Sequence, residues 1–103
     1  MMRWRGAMLD ISRHYFDAAF IKKTISALAT FDYNTLHLHL TDDQGWRLES
    51  KVFPRLHEVG SVRKQSQNNH GLLEPTYDGK EHSGHLTHSN VREIVSHAQS
   101  LGM

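Results

Sequence analysis

Residues 35–43 read Thr-Leu-His-Leu-His-Leu-Thr-Asp-Asp. Leucine takes every second place from Leu36 to Leu40, and a period of two belongs to a β-strand, whose successive side chains point to opposite faces. The strand predicted over 35–40 therefore ends at the polar Thr41-Asp42-Asp43. Upstream, Gly6-Ala-Met-Leu-Asp-Ile-Ser12 is a short apolar run that stops at Arg13-His14, and it reads as a first buried strand leading to a functional edge. Between the two, Asp17 is a good helix N-cap, with Phe16 and Ile21 at the spacing of a hydrophobic staple. A helix predicted over 18–30 gathers Phe20, Ile21, Ile25, Leu28 and Phe31 on one side. Strand, helix and strand make a β-α-β unit, which implies parallel strands, a right-handed crossover, and cover for both faces of the strands.

Downstream the pattern loosens. From Thr41 to Leu86 run 46 residues broken by Gly45, Pro54, Gly60, Gly71, Pro75, Gly79 and Gly84, with one short helical turn predicted near 54–59. Connections of that length are functional or disordered. This one starts at the C-terminal end of a parallel strand, where α/β folds place their ligands, so the functional reading is favoured. A further helix follows: Thr87 caps it, Leu86 and Val91 have staple spacing, Val91, Ile94, Val95, Ala98 and Leu101 form its apolar stripe, and Gly102 stops it. No internal repeat or low-complexity tract interrupts the chain. A third strand should come next. Two parallel strands alone leave unpaired edges, so residues 1–103 are expected to be a fragment that needs the rest of a larger sheet to fold.

Composition excludes several classes. Twelve Lys plus Arg against eleven Asp plus Glu give a net charge of +1, too little for nucleic-acid or membrane-surface binding driven by bulk charge. The absence of Cys removes disulfides, thiolate metal sites and Cys nucleophiles, and leaves the redox compartment open. No stretch reaches 18 apolar residues and Met1–Asp10 lacks a signal-peptide core, so the chain carries no membrane address and its compartment is undetermined. Nine His raise the question of a metal. His37 and His39 share a strand face, but they sit in a strand expected to be buried, with no carboxylate before Asp42. His82, His85 and His88 recur every three residues, yet Gly84 and the cap Thr87 break any helix through them. Neither set has zinc spacing on a continuous element, and neither a metal nor a cofactor is expected.

Arg5-Gly-Ala-Met-Leu-Asp-Ile-Ser-Arg-His-Tyr-Phe16 and Leu36-His-Leu-His-Leu-Thr-Asp-Asp-Gln-Gly-Trp-Arg-Leu-Glu49 closely resemble the start of the catalytic barrel of β-N-acetylhexosaminidases, glycoside hydrolase family 20. Pro75-Thr-Tyr-Asp-Gly-Lys80 and Leu86-Thr87 are similar to bacterial members, so the resemblance runs over nearly the whole chain, least distinctively over 64–73. It implies an α/β architecture: an incomplete (β/α)8 TIM barrel, residues 1–103 being its N-terminal fragment with the first two β-α units. The domain that usually precedes the barrel is expected to be absent. The chemistry implied is hydrolysis of a terminal non-reducing β-linked N-acetylhexosamine with retention, the sugar's own acetamido oxygen attacking the anomeric carbon while a Glu acts as acid. That Glu and an acetamide-orienting Asp belong to a His-x-Gly-Gly-Asp-Glu motif, which this sequence does not contain. No catalytic group is therefore expected here, and the chain alone should be inactive.

The resemblance assigns two positions. Arg13 matches the arginine that grips hydroxyls of the sugar in the cleavage subsite, a task suited to a planar fork of donors that never titrates; its competing role is an ion pair with Asp10. Asp42 matches the first Asp of a network that supports the acid Glu, completed by a His on the next strand. Asp42 and Asp43 are not read as a catalytic pair, because neighbours on an extended chain face opposite ways. Asp43 is expected to cap loop amides or pair with Arg47. Trp46 can stack on a sugar face or pack its own loop, and packing is favoured. Arg5 is expected to support the barrel base or the first strand. The partner implied is an N-acetylhexosamine-terminated oligosaccharide or glycoconjugate, with no nucleic acid or membrane. Two other readings stand beside this one: a noncatalytic carbohydrate-binding or interaction module built on Arg13, Trp46 and the long loop, and, more weakly, a His-rich metal binder.

Overall fold

The computed structural model describes residues 1–69 and 74–103, so His70 and Gly71 lie outside the described residues. β1 (Gly6–Asp10) is followed by α1 (Ala18–Thr30) and β2 (Thr35–His39), and β1 pairs with β2 in parallel, Gly6 opposite Thr35 and Asp10 opposite His39. Both strands are slightly shorter than predicted. Ile11 still donates its N–H to the His39 carbonyl at 3.1 Å, so the pairing extends one residue past β1.

α1 has the bounds read from the sequence. The Asp17 carboxylate accepts the Phe20 N–H at 2.9 Å, satisfying one of the amides that a helix start leaves free. At the other end Asp32 turns to φ 63°, and its N–H and that of Tyr33 return to the carbonyls of Ala29 and Leu28. Arg5 closes this corner, donating from Nε to the Asp32 carbonyl at 2.7 Å.

The described parts of the long segment after β2 hold more regular structure than its glycines suggest. They hold two short antiparallel pairs, β3 (Thr41–Asp42) with β4 (Gly45–Trp46), and, beyond the one-turn α2 (Arg55–Glu58), β5 (Val62–Arg63) with β6 (His82–Ser83). Two-residue strands fall below any periodicity a sequence can display. α3 (His88–Ser100) then begins at a complete capping box: Thr87 accepts the Asn90 N–H, and the Asn90 side chain accepts the Thr87 N–H.

α1 and α3 pack together on one face of the β1–β2 pair. Ile11, Ala18, Ile21, Ile25, Leu86 and Ile94 form the buried centre, joined by Leu9, Leu36 and Leu38 from the strands. Each fully buried isoleucine contributes about 1.5–3 kcal/mol relative to exposure. The buried stripes are narrower than expected, since Phe20, Phe31, Val95 and Leu101 are exposed. The expectation that both faces of the strands are covered is also corrected: on the opposite face Met8 is 59% exposed and His37 is exposed. No closed barrel is present among the described residues.

The largest fully buried side chain is a charged one, Arg47. Its Nε lies 3.1 Å from the carbonyls of both Ile11 and Ser12, Nη2 reaches Ser12 at 2.9 Å, and Nη1 reaches Ser61 at 2.7 Å and Gly84 at 3.2 Å. The expected pairing of Arg47 with Asp43 is not made, because the guanidinium points inward to backbone rather than out to the hairpin. Gly84, at φ 145°, lies so close to Tyr15 that a Cβ would sit 2.2 Å from the ring.

With Met8 and His37 on an open sheet face and apolar side chains at Trp4 and Phe31, a polypeptide of residues 1–103 alone is expected to associate and bind a hydrophobic dye. Light scattering and calorimetry test this. A reversible, cooperative melt of a soluble monomer would contradict it.

Candidate functional site at the strand ends

Asp10 and His39 are register partners at the C-terminal ends of β1 and β2, on the face that Met8 and His37 share. The chain turns sharply after β1 because Asp10 Oδ1 accepts the N–H groups of Ser12 at 2.9 Å and Arg13 at 3.2 Å. That turn brings the Arg13 side chain back over the strand ends. Its Nη1 donates to Asp10 Oδ2 at 3.0 Å, and its Nη2 lies 3.0 Å from Asp42 Oδ2. Across the β3–β4 hairpin, Gln44 at the tip accepts the Arg13 Nε–H at 2.9 Å. The guanidinium is thus held on three sides, by two carboxylates and one amide. The ion pair with Asp10 is made, alongside the other contacts rather than instead of them.

Asp42 is held equally firmly. Oδ1 accepts the Asp43 N–H at 2.8 Å, and Oδ2 meets His39 Nε2 at 2.7 Å. These contacts, the Asp43 amide first and then the His39 imidazole, with the Arg13 charge adding, hold its carboxyl well below the usual range, at about 2. Against an ionised carboxylate at 2.7 Å, His39 Nε2 must carry the hydrogen. It therefore cannot also accept from Arg13 Nη1, 3.3 Å away. Partial burial pushes the Asp10 carboxyl up, but the bonds from Arg13 and Ser12 outweigh it and the net shift is downward. Arg13 in turn is shifted upward, first by its bond to Asp10. Both acids stay ionised, and with Arg13 the cluster carries a net −1 before His39 is counted. Such a site repels anions and suits a neutral polar ligand.

Guanidinium has five N–H groups. One goes to Gln44, one to Asp10 and at most one to Asp42, so at least two have no partner among the described residues. They belong to a side chain that is 49% exposed. Beside it opens a cleft of about 620 Å³, lined among others by Arg13, His14, Gln44 and Tyr77. Trp46 faces a different cleft of about 850 Å³, with Phe53, Leu56 and Val59, and its indole N–H is taken by the Leu48 carbonyl at 2.7 Å. Asp43 and Gln44 border both clefts.

The resemblance named Arg13 and Asp42 separately, and the structure places them 3.0 Å apart. Sequence reasoning weighed His39 only as a metal ligand and passed over Gln44. The available signal was the period of two, which puts His39 on the face of the strand end that also carries the Asp42 turn. His82 and His88 are used locally instead: His82 Nε2 accepts the Tyr15 N–H at 2.8 Å, and His88 meets the Glu49 carbonyl. Among the described residues no group of three or more His, Asp or Glu is placed to hold a metal ion. None of the described helices is long and apolar enough to cross a membrane.

The model of glycosyl hydrolase family 20, catalytic domain, matches residues 2–103. The chain belongs to this family. It is 38% identical over 103 residues to a beta-hexosaminidase of Vibrio furnissii, covering 98% of this chain and 16% of that protein. It is 44% identical over 95 residues to a beta-hexosaminidase of Porphyromonas gingivalis, covering 92% and 11%. A crystal structure of an exo β-N-acetylglucosaminidase from Vibrio harveyi in complex with N-acetylglucosamine superimposes with a TM-score of 0.84 at 35% identity, over 98% of this chain and 16% of that one. The family 20 chain thus spans less than one fifth of these relatives. The solved structures it resembles are family 20 enzymes, whose catalytic domain is a TIM barrel.

Because the Asp42 carboxyl is held down in the folded protein, what its ionised form contributes is complete above its unfolded value of about 3.9. That contribution is lost as pH falls toward about 2. Titrating the ¹³C signal of the Asp42 carboxyl in the full-length gene product should give a midpoint near that lower value, moved upward by His39→Gln. An ordinary midpoint, indifferent to His39, would contradict the geometry.

Proposed function

We propose that residues 1–103 form the first two β-α units of a family 20 (β/α)8 barrel, and that the Arg13 cluster is the part of its cleavage subsite that grips sugar hydroxyls. The observation that carries this reading is the Arg13 guanidinium itself. It stands at the C-terminal ends of parallel strands, fixed by Asp10, Asp42 and Gln44, with at least two N–H groups still free beside a cleft. Two adjacent hydroxyls of a pyranose match two donors of one planar fork. A cluster of net −1 adds no attraction for phosphate or sulfate and favours a neutral sugar. The N-acetylglucosamine held by the Vibrio harveyi relative supports the same ligand class.

The activity proposed for the whole protein is hydrolysis of terminal non-reducing β-linked N-acetylhexosamine from oligosaccharides or glycoconjugates, with retention. In that route the acetamido oxygen of the substrate displaces the leaving group, water then opens the cyclic intermediate, and the protein supplies an acid Glu and an Asp that orients the acetamide. Residues 1–103 contain neither, since the His-x-Gly-Gly-Asp-Glu motif is absent from their sequence. Their part is binding. Arg13 fixes the ring orientation, and Asp42, with His39 on one oxygen, presents a carboxylate that is ionised at neutral pH to the network around the acid. Trp46, tied by its indole N–H to the Leu48 carbonyl and lining the other cleft with Phe53 and Leu56, is read as packing its loop.

Kinetics on an aryl N-acetyl-β-glucosaminide test the reading. The full-length gene product should turn it over, and Arg13→Ala should lower kcat/KM by about 10²-fold or more, the loss expected for two hydrogen bonds from a charged donor at about 1.5–3 kcal/mol each. Absence of turnover, or activity indifferent to Arg13→Ala, would overturn it. Residues 1–103 alone should give none.

A further inference from the structure

We infer that Arg47 is a positioning residue for sugar binding, acting through the backbone that carries Arg13. The inference rests on the proposed grip of Arg13 and adds a residue that grip depends on. Arg47 is fully buried, and its fork spans four carbonyls from three parts of the chain: Ile11 and Ser12 at the end of β1, Ser61 before β5, and Gly84 after β6. The Ser12 carbonyl is the last backbone group before Arg13, and it receives both Nε and Nη2. Moving the guanidinium therefore moves the peptide that starts the Arg13 turn. The other wall of that turn is tied to the same loop, because the Ser12 hydroxyl donates to the Gly45 carbonyl at 2.7 Å and Tyr15 donates its N–H to His82.

A buried charge is an expensive way to hold a loop. No carboxylate lies within ion-pair distance of Arg47 among the described residues, so carbonyl dipoles alone compensate it. What the fork supplies that apolar packing cannot is direction. Three bonds to Ile11 and Ser12, from a rigid plane that two more bonds anchor to Ser61 and Gly84, fix the Ile11–Ser12 peptides in angle as well as distance, at the point where an error passes straight into the Arg13 fork and its alignment with two hydroxyls. Lysine in the same place keeps the charge but has no plane. Room has been kept for this arrangement at position 45, where a Cβ would lie 2.6 Å from Arg47 Nη2 and 2.8 Å from the Ser12 carbonyl oxygen.

A double-mutant cycle in the full-length gene product, read on a fluorogenic N-acetyl-β-glucosaminide so that weak activity is measurable, separates positioning from general support. Arg47→Lys is expected to lower kcat/KM about 10-fold when Arg13 is present and less than about 2-fold in an Arg13→Ala background, because there the group it aligns is already gone. Gly45→Ala, which intrudes on the same guanidinium from the other side, should show the same dependence on Arg13 and carries the test if the lysine variant does not fold. Equal losses in both backgrounds would show that Arg47 only holds the fold, and would overturn the inference while leaving the role of Arg13 intact. If Arg13→Ala alone is harmless, the reading of the sugar subsite fails instead.

Discussion

A guanidinium shut away from water and from any carboxylate persists only where carbonyl dipoles take over from both, and Arg47 meets that condition at the junction of three chain segments. Among the described residues of the segment from Thr41 to Leu86, Leu86 alone is a buried apolar side chain. What the segment has is a common attachment: the Arg47 side chain bonds Ile11, Ser12, Ser61 and Gly84, while the Arg47 backbone donates to Leu40 and accepts from Leu86. The loop is thereby fastened across the end of β1, and the start of α3 is brought beside β4. The missing Cβ at Gly45 is what lets the guanidinium and the Ser12 carbonyl come this close to the hairpin backbone.

The hairpin half of the candidate site depends on this attachment. Asp10 and His39 come from the strands, but Asp42 and Gln44 come from the hairpin that Arg47 follows, and they reach Arg13 only while the hairpin lies over the strand ends. The resulting cluster is self-consistent. Two carboxylates fix one guanidinium, the Asp43 amide and an imidazole, with the guanidinium charge adding, keep one carboxylate ionised, and an amide at the hairpin tip takes the Arg13 Nε–H. Strong local bonding holds the Arg13 plane in place before any ligand arrives, with N–H groups to spare on a half-exposed side chain. Preorganisation of this kind lowers the ordering cost of binding a neutral sugar, for which no large charge term is available.

The sequence makes the long elements plain because each is specified by a period and a cap. α1 and α3 announce themselves through Asp17 and Thr87 and through apolar stripes, and β2 through its alternating leucines. The width of the stripes was not legible: Phe20 and Phe31 fit a helical face by position, yet only Ile21 and Ile25 reach the core, since burial depends on which neighbours are present to cover a face. The short pairs β3–β4 and β5–β6 carry no period at all. Arg13 and Asp42 were reachable through a specific resemblance, whereas the roles of Gln44 and Arg47 arise only when segments distant in sequence meet. A lone Arg in a polar loop looks like a surface residue. Its burial here follows from the orphan carbonyls at the end of β1, which no one-dimensional pattern displays.

The central claim is that the Arg13 fork, braced by Asp10 and Asp42, binds the sugar. Its most direct test is a crystal structure of the full-length gene product with N-acetylglucosamine. The account predicts two adjacent ring hydroxyls within about 3 Å of Arg13 nitrogens, with the Asp10, Asp42 and Gln44 contacts unbroken. A sugar bound without touching Arg13, or one that binds only after the fork has left its carboxylates, would contradict it.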